Sequence, residues 1–315
     1  MNAITPLTPG RKVFNAMPLF HSSGLVGGMI MPLLKGLPSQ QFPNPTNKQQ
    51  IPALSNDFGA KIMFATPTFL RLYAMRDKAD RYMTTFDEVY SGAEKLDETT
   101  AKLYYDLYGI RIEAGYGTTE AAPTIAMNVK GAGKPGSVGK SLPGMELKFE
   151  PVEGLARGGK ILICGRNLMN GYLLPDGTEQ LLERGAWYDT GDVGYLDDEG
   201  YLFLTGRLKR CAKIGGEMVP LDPIEDAAKK ASLKEEFEHA AILCKEESGH
   251  DKIVLLTTDK DLTAKGLQAA VKELGGLEVG LPKKDDIIYV DAILKMSNGK
   301  KDYIGLEKFY NEMAK

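Results

Sequence analysis

Cysteine and histidine are both scarce in this chain of 315 residues, with three of each, and there is a single tryptophan. Cys164, Cys211 and Cys244 lie far apart and form no C-x-x-C pair. That argues against a disulfide framework or a thiolate zinc site, and for a reducing, cytoplasmic setting. His21, His239 and His250 show no metal-ligand spacing either, so a protein-bound transition metal is not expected. Long hydrophobic runs are missing too. No stretch reaches the roughly 20 apolar residues that span a bilayer, and the best one, Leu25 to Leu37, is broken by Gly27, Gly28, Pro32 and Gly36. The N-terminus has no signal-peptide pattern. Membrane association is therefore expected only peripherally, through a part of the protein outside this sequence. An excess of one charge is also absent. The net charge of −3, with both signs interspersed, gives no electrostatic reason to expect nucleic acid as a partner. Runs such as Lys234-Glu235-Glu236 and Lys283-Lys284-Asp285-Asp286 read as solvated surface.

What is present is an ordinary globular composition, 43% hydrophobic and 26% charged, long enough for two domains. The first third reads as α/β. Lys61-Ile62-Met63-Phe64-Ala65 is a buried-strand candidate followed by a helix from Pro67 to about Arg76. Glu88-Val89-Tyr90 is a second strand, and Asp97 caps a helix running to Tyr108. Arg111-Ile112-Glu113-Ala114 is a third strand leading into a glycine turn. This alternation predicts part of a doubly wound parallel sheet, with ligands at the C-terminal ends of its strands. From about 130 to 206, short strands at Met145 to Glu150, Lys160 to Cys164 and Tyr201 to Leu204 lie between Gly/Pro turns, the signature of a small β-barrel or meander. Beyond Arg207, helices at Pro220 to Lys230, 262 to 274 and from Tyr303 alternate with strands at 239 to 244, 252 to 258 and 287 to 290. The expected organisation is an α/β subdomain (1–129), a β-barrel-like subdomain (130–206) and a small α+β C-terminal domain (207–315).

Two glycine-rich stretches imitate nucleotide loops. Gly131-Ala132-Gly133-Lys134-Pro135-Gly136 has the letters of the dinucleotide fingerprint, but Pro135 and the β-like segment after it leave no helix to meet a pyrophosphate. Gly139-Lys140-Ser141 resembles the end of a Walker A loop, yet Lys134 stands where its first glycine belongs.

Four other segments carry chemistry. In Gly115-Tyr116-Gly117-Thr118-Thr119-Glu120 the glycines allow a tight turn with exposed N–H groups, and Tyr116 offers a face for stacking on a base. The hydroxyls can donate to a phosphate, and Glu120 can hold a hard cation such as Mg²⁺. In Trp187-Tyr188-Asp189-Thr190-Gly191-Asp192, a carboxylate after a Thr-Gly turn suits two ribose hydroxyls. Thr205-Gly206-Arg207-Leu208-Lys209-Arg210 brings a phosphate- or ribose-binding Arg207, and a flexible surface loop at Gly215-Gly216-Glu217 and then Glu225 follow it. Last comes Ser297-Asn298-Gly299-Lys300 on a polar turn. Each alone also reads as a structural turn, a polar hairpin, a basic linker or solvated surface.

In this order and at these intervals the four segments resemble the AMP-forming acyl-CoA synthetase/adenylation superfamily, over essentially the whole chain from Phe14 to Lys315. The resemblance implies ATP and Mg²⁺ as cofactors, adenylation of a carboxylic acid, and transfer of the acyl group to a thiol. It also implies that the α/β subdomain is only part of a larger domain and that the C-terminal domain is mobile. It gives Lys300, Glu120 and Thr119 catalytic roles, with Glu120 as the metal ligand. It assigns nucleotide contacts to Ser91-Gly92-Ala93-Glu94, Tyr116, Gly117, Asp192 and Arg207, and the hinge to Lys209. Pro18-Leu19-Phe20-His21 and the Gly215-Gly216 loop are implied at the acyl and thiol passage. Several phrases look like the synthetase half of the bifunctional acyl-acyl carrier protein synthetase/2-acylglycerophosphoethanolamine acyltransferase family. Among them are Leu168-Met169-Asn170-Gly171-Tyr172-Leu173 and Ala212-Lys213-Ile214-Gly215-Gly216-Glu217-Met218-Val219. That family implies a fatty acid substrate, acyl carrier protein as acceptor, and a fused acyltransferase in phospholipid metabolism. A free-standing fatty acyl-CoA ligase, with CoA as acceptor, is the alternative. No His here is followed five residues later by an Asp, so the acyltransferase motif H-x-x-x-x-D is lacking. The family's Ser/Thr/Gly-rich phosphate loop has no counterpart in Met1 to Asn15 and is expected upstream of this sequence, which leaves as an alternative that the chain by itself is a catalytically silent piece that folds and at most binds nucleotide weakly.

Overall fold

The computed structural model describes residues 8, 10–155, 157–183, 185–234, 236–246, 249–276, 278–296 and 300–313. The chain divides into two compact units. One comprises Met1–Lys148, Leu162–Thr190 and Leu196–Phe203, the other Phe149–Ile161, Gly191–Tyr195 and Leu204–Lys315.

The first unit is built on a sheet of β1 (Val13–Asn15), β2 (Ser39–Gln41), β3 (Ile62–Ala65), β4 (Glu88–Ser91), β5 (Ile112–Gly117), β6 (Thr124–Met127) and β7 (Lys140–Ser141), in the order β2-β1-β3-β4-β5-β6-β7. From β2 through β5 every pairing is parallel, while β6 and β7 join antiparallel. The alternation of side chains along a strand decides which face each residue serves. Phe14, Met63, Val89 and Ile112 point to one core together with Tyr73 and Tyr104, whereas Val13, Ile62, Phe64 and Tyr90 point to the other with Met31 and Met127. That first core is covered by helices α2 (Ile51–Phe58), α3 (Pro67–Arg76) and α4 (Glu98–Tyr108). The second includes Met31 from the short α1 (Met31–Lys35), which continues a π-helical stretch at Gly24–Ile30. Both faces are thus apolar, as a parallel sheet requires. Asp97 caps α4 as expected, its carboxylate accepting from the Thr100 amide at 3.1 Å.

Three readings of turns need correction. The Gly115–Gly117 segment is not a turn, because β5 runs on through it and Gly115 and Tyr116 pair with Met127 and Ala126 of β6. Thr190-Gly191 is not a turn before Asp192 either. Both lie within the strand Tyr188–Leu196, where Gly191 takes φ +72°. Gly215-Gly216 is not a flexible loop but the two-residue connection of a tight hairpin, and its φ values of 61° and 89° suit a type I′ turn. The two glycine-rich imitations behave as expected: no helix starts at Gly131–Gly136, and Lys140–Ser141 is a strand.

The middle of the chain forms a sheet of β8 (Met145–Glu150), β9 (Gly159–Gly165), β12 (Tyr188–Leu196) and β13 (Leu202–Arg207), neighbours in the order β13-β12-β9-β8. Between them β10 (Gly171–Leu173) and β11 (Glu179–Leu181) form a hairpin. The neighbours in the four-stranded sheet follow chain order, apart from that hairpin.

In the second unit, the hairpin of β14 (Cys211–Ile214) and β15 (Glu217–Pro220) leads into α5 (Asp222–Ala231). A sheet of β16 (His239–Lys245), β17 (Asp251–Thr257) and β18 (Ile287–Tyr289) carries α6 (Ala264–Glu273) and α7 (Tyr303–Met313). Ala241, Ile253 and Leu255 pack with α5 and α6. Ala240, Ile242, Val254 and Leu256 face Leu306 of α7. Among the described residues no helix is long and apolar enough to cross a membrane.

Candidate functional site

At the C-terminal ends of β4 and β5, the parallel register sets Ser91 beside Ala114 and delivers two expected segments to one place. A Cβ added to Gly92 would lie 3.7 Å from the Gly115 carbonyl oxygen, so the Ser91–Glu94 loop abuts the Gly115–Glu120 segment. Backbone strain collects here. Of the non-glycine residues with positive φ among those described, Ala93 (67°) sits in this loop and Ala122 (50°) ends the short 3₁₀ turn Thr119–Ala121. The buried hydroxyls of Ser91 and Thr118 lack a hydrogen-bond partner among the described residues. Buried polar atoms are normally satisfied, so two orphans at one strand-end cleft fit a polar ligand.

The individual side chains differ in readiness. Tyr116, expected to present an open face, is only 7% exposed within β5. Gly117 is required by packing, since a Cβ there would lie 1.8 Å from the Pro123 carbonyl oxygen. Glu94 is engaged locally: its carboxylate accepts from the Thr68 hydroxyl at 2.6 Å and the Thr68 amide at 3.4 Å, at the start of α3. Thr119 is exposed and lies 3.5 Å, oxygen to oxygen, from the Ser22 hydroxyl. This brings the His21 segment to the same place, with the His21 ring held by the Ser23 hydroxyl at 2.7 Å.

Glu120 stands at the centre of contacts that were not foreseen. Its carboxylate accepts a hydrogen bond from the Tyr172 hydroxyl at 2.9 Å, and Tyr172 lies 2.9 Å from the Tyr188 hydroxyl. A phenol carries one proton, so if Tyr172 donates to Glu120, Tyr188 must donate to Tyr172. Burial, helped by the hydrogen bond to Tyr172 and by the Glu120 charge, holds the Tyr188 phenol well above its ordinary value, so it stays protonated. Tyr172 comes from the β10–β11 hairpin, where a Cβ on Gly171 would lie 2.2 Å from the Gln180 carbonyl oxygen. Among the described residues no group of three His, Cys, Asp or Glu converges as a self-sufficient metal site. Glu120 fits a Mg²⁺ of the kind held by one carboxylate and the oxygens of a bound phosphate.

In the second unit, Asp192 of β12 is 6% exposed and meets Arg207, at the end of β13, with 3.1 Å between Nε and Oδ1. Lys209 is exposed in the 3₁₀ turn Leu208–Arg210, immediately before β14. The Gly215-Gly216 turn is exposed, and its hairpin is anchored by a 2.8 Å hydrogen bond from the Met218 amide to the Gly154 carbonyl. Ser297, Asn298 and Gly299 lie outside the described residues. Lys300 is described, half-buried, with its carbonyl accepting from the Met296 amide at 2.8 Å beside an antiparallel bridge between Lys295 and Lys301.

Residues 1–173 match the family model described as AMP-binding enzyme. The luciferin 4-monooxygenase of Nipponoluciola cruciata is 27% identical over 231 residues, which cover 70% of this chain and 41% of that protein. The long-chain-fatty-acid–CoA ligase ACSBG1 of Rattus norvegicus is 36% identical over 144 residues, 44% of this chain and 19% of the relative. The chain therefore spans less than half the length of these relatives. A solved structure of the O-succinylbenzoate coenzyme A synthetase from Bacillus subtilis, in complex with ATP and magnesium ion, superimposes with a TM-score of 0.80 at 21% identity, over 97% of this chain and 63% of that one. At that identity the likeness shows the fold.

Proposed function

This chain belongs to the AMP-binding enzyme family, and from that premise we propose that it provides the nucleoside and metal contacts for ATP-dependent activation of a fatty acid, followed by transfer to a thiol. The observation that carries the reading is the convergence of Thr119, Glu120 and the orphan hydroxyls of Ser91 and Thr118 at the ends of parallel strands. That is where a doubly wound sheet binds its ligands.

In the proposed first step, a carboxylate oxygen of the acid attacks the α-phosphorus of ATP. An O–P bond forms, the bond to pyrophosphate breaks, and the acyl-adenylate remains. Ser91, Thr118 and Thr119 donate to polar atoms of the nucleotide, and the Asp192 carboxylate accepts from ribose hydroxyls. Glu120, steadied by Tyr172, would hold Mg²⁺, which offsets the charge of the phosphates when bound. Lys300 neutralises charge building between carboxylate and phosphate. In the second step a thiolate attacks the acyl carbon and AMP leaves, with Lys209 as the point about which the groups exchange. The thiol is CoA or the phosphopantetheine of an acyl carrier protein, and the ACSBG1 match supports a long-chain acid and CoA.

A second reading, nucleotide binding without turnover, is favoured by the orphan hydroxyls of Ser91 and Thr118, which call for a polar ligand and not for a reaction. Fatty-acid-dependent exchange of labelled pyrophosphate into ATP decides between them. Exchange by the 315-residue chain, abolished in Lys300→Ala, selects the activation reading. Saturable ATP binding with no exchange for any acid from acetate to palmitate selects the second reading. Neither binding nor exchange overturns both.

A further inference from the structure

The mechanism leaves unused Glu225 on α5, a carboxylate of the second unit with partners on both oxygens. One of its oxygens accepts from Arg210 Nη2 at 2.8 Å and from the Ala241 amide at 2.9 Å. The other pairs with the Lys301 ammonium and accepts from the Tyr303 hydroxyl at 3.2 Å. The Glu225 side chain is 11% exposed, and those of Arg210 and Lys301 are 15% and 30% exposed. Arg210 is fixed on every side: its Nε meets Asp222 at 2.9 Å, and its guanidinium carbon lies 3.5 Å from the Tyr303 ring centroid. The cluster holds Arg210 and Lys301 against Asp222 and Glu225, so its formal charge is balanced.

What matters is where the two cations sit in the chain. Arg210 follows Lys209, the proposed hinge, in the same 3₁₀ turn. Lys301 follows Lys300 and forms an antiparallel bridge with Lys295. Beside that bridge the Met296 amide donates to the Lys300 carbonyl at 2.8 Å, and the Asp302 amide donates to the Leu294 carbonyl at 2.9 Å. A buried carboxylate shared by two cations resists rearrangement, because moving either one away leaves charge uncompensated in a poorly solvated place.

We infer that Glu225 is a positioning residue that ties the hinge turn to the Lys300–Lys301 segment, so that Lys300 moves as one body with Arg210 when the hinge rotates. The inference rests on the proposed role of Lys300. It predicts that loss of the Glu225 charge frees the Lys300–Lys301 segment and damages the half-reaction that needs Lys300, leaving the other in place.

Glu225→Gln tests this while keeping the side chain's shape and an acceptor for the Ala241 amide. Amide exchange is read on the intact chain without turnover. The Met296 and Asp302 amides are expected to exchange about tenfold faster, the loss of roughly one charge-assisted hydrogen bond. In parallel, acid-dependent pyrophosphate exchange should lose about tenfold in kcat with KM for ATP little changed, and thioester formation from supplied acyl-adenylate should persist. Lys301→Arg, which retains the pairing, should behave as the parent. Unchanged exchange at Met296 and Asp302 overturns the inference, as does equal loss of both half-reactions. Should Lys300→Ala leave adenylation intact, the role given to Lys300 fails instead, and the amide exchange still tests the coupling.

Discussion

The Tyr172 hydroxyl lies 2.9 Å from the Glu120 carboxylate, across 52 residues of chain, and is itself 2.9 Å from Tyr188. For the Mg²⁺ role proposed for Glu120, the carboxylate's orientation has to be fixed from outside the coordination sphere, as a second layer of hydrogen bonds does in metal sites generally.

Tyr172→Phe removes that donor while keeping the ring. Loss of a hydrogen bond to a charged group costs about 1.5 kcal/mol, so Mg²⁺-dependent ATP binding should weaken about tenfold. Calorimetric titration with ATP at several Mg²⁺ concentrations checks it. An equal loss in the absence of Mg²⁺ would show that Tyr172 does not act through Glu120.

Asp192 and Arg207 form an unequal pair, one side chain buried and the other 70% exposed. An ion pair with one exposed partner contributes roughly 0–1 kcal/mol to stability, so Arg207→Ala should leave the midpoint of urea unfolding nearly unchanged. Asp192→Asn should weaken ATP and AMP binding alike by about ten- to a hundredfold, the effect of losing charge-assisted acceptance from ribose hydroxyls. The check is 2′,3′-dideoxy-ATP, whose affinity should be the same for parent and variant. A parallel loss for the dideoxy nucleotide would remove ribose from the role of Asp192.

Which features could be read from the sequence follows from the range over which each is decided. Asp97 and the helix to Tyr108 were readable because a cap and its amide lie within three residues. The strand at Ile62–Ala65 was readable because burial on both faces leaves an unbroken apolar run. Gly115-Tyr116-Gly117 was misread because glycine marks turns locally, while pairing with β6 decides the matter. The same holds for Gly215-Gly216, where the register Ile214↔Glu217 turns two glycines from a loop into a hairpin turn. In the candidate site, the Thr119–Glu120 segment was singled out by its residue types, and the Ser91 segment only through the resemblance. Tyr172, Tyr188 and Ser22 were not, because each acquires meaning only from a neighbour distant in sequence.

Gly117 and Gly115 separate close packing from mere glycine composition. A Cβ on Gly117 would fall 1.8 Å from a carbonyl oxygen of the backbone, whereas one on Gly115 would come no nearer than 3.4 Å to a flexible methionine side chain. Gly117→Ala should therefore force β5 and β6 apart and cost at least about 3 kcal/mol. Gly115→Ala should cost less than about 1 kcal/mol. Urea denaturation of the two variants measures both, and similar losses would contradict the geometry.

His239 makes the stability of the second unit depend on pH. Its ring is 4% exposed, with Nδ1 2.9 Å from the Thr257 hydroxyl and Nε2 3.2 Å from the Ser232 hydroxyl. Burial pushes the imidazole down to about 4 from its ordinary 6.5. Lys301 and Lys229 push the same way, and Asp259 opposes them. The unfolded chain takes up its proton near the ordinary value, while the folded chain resists until about 4. Between those values the unfolded state therefore binds more protons, and stability falls as the pH is lowered. The full effect is of order 3 kcal/mol, present above the unfolded value and gone once the pH passes below the folded one. Unfolding free energies of the parent and His239→Gln, measured by urea from pH 7.5 to 4.5, should converge as the pH falls. Parallel profiles would mean that His239 is not the group responsible.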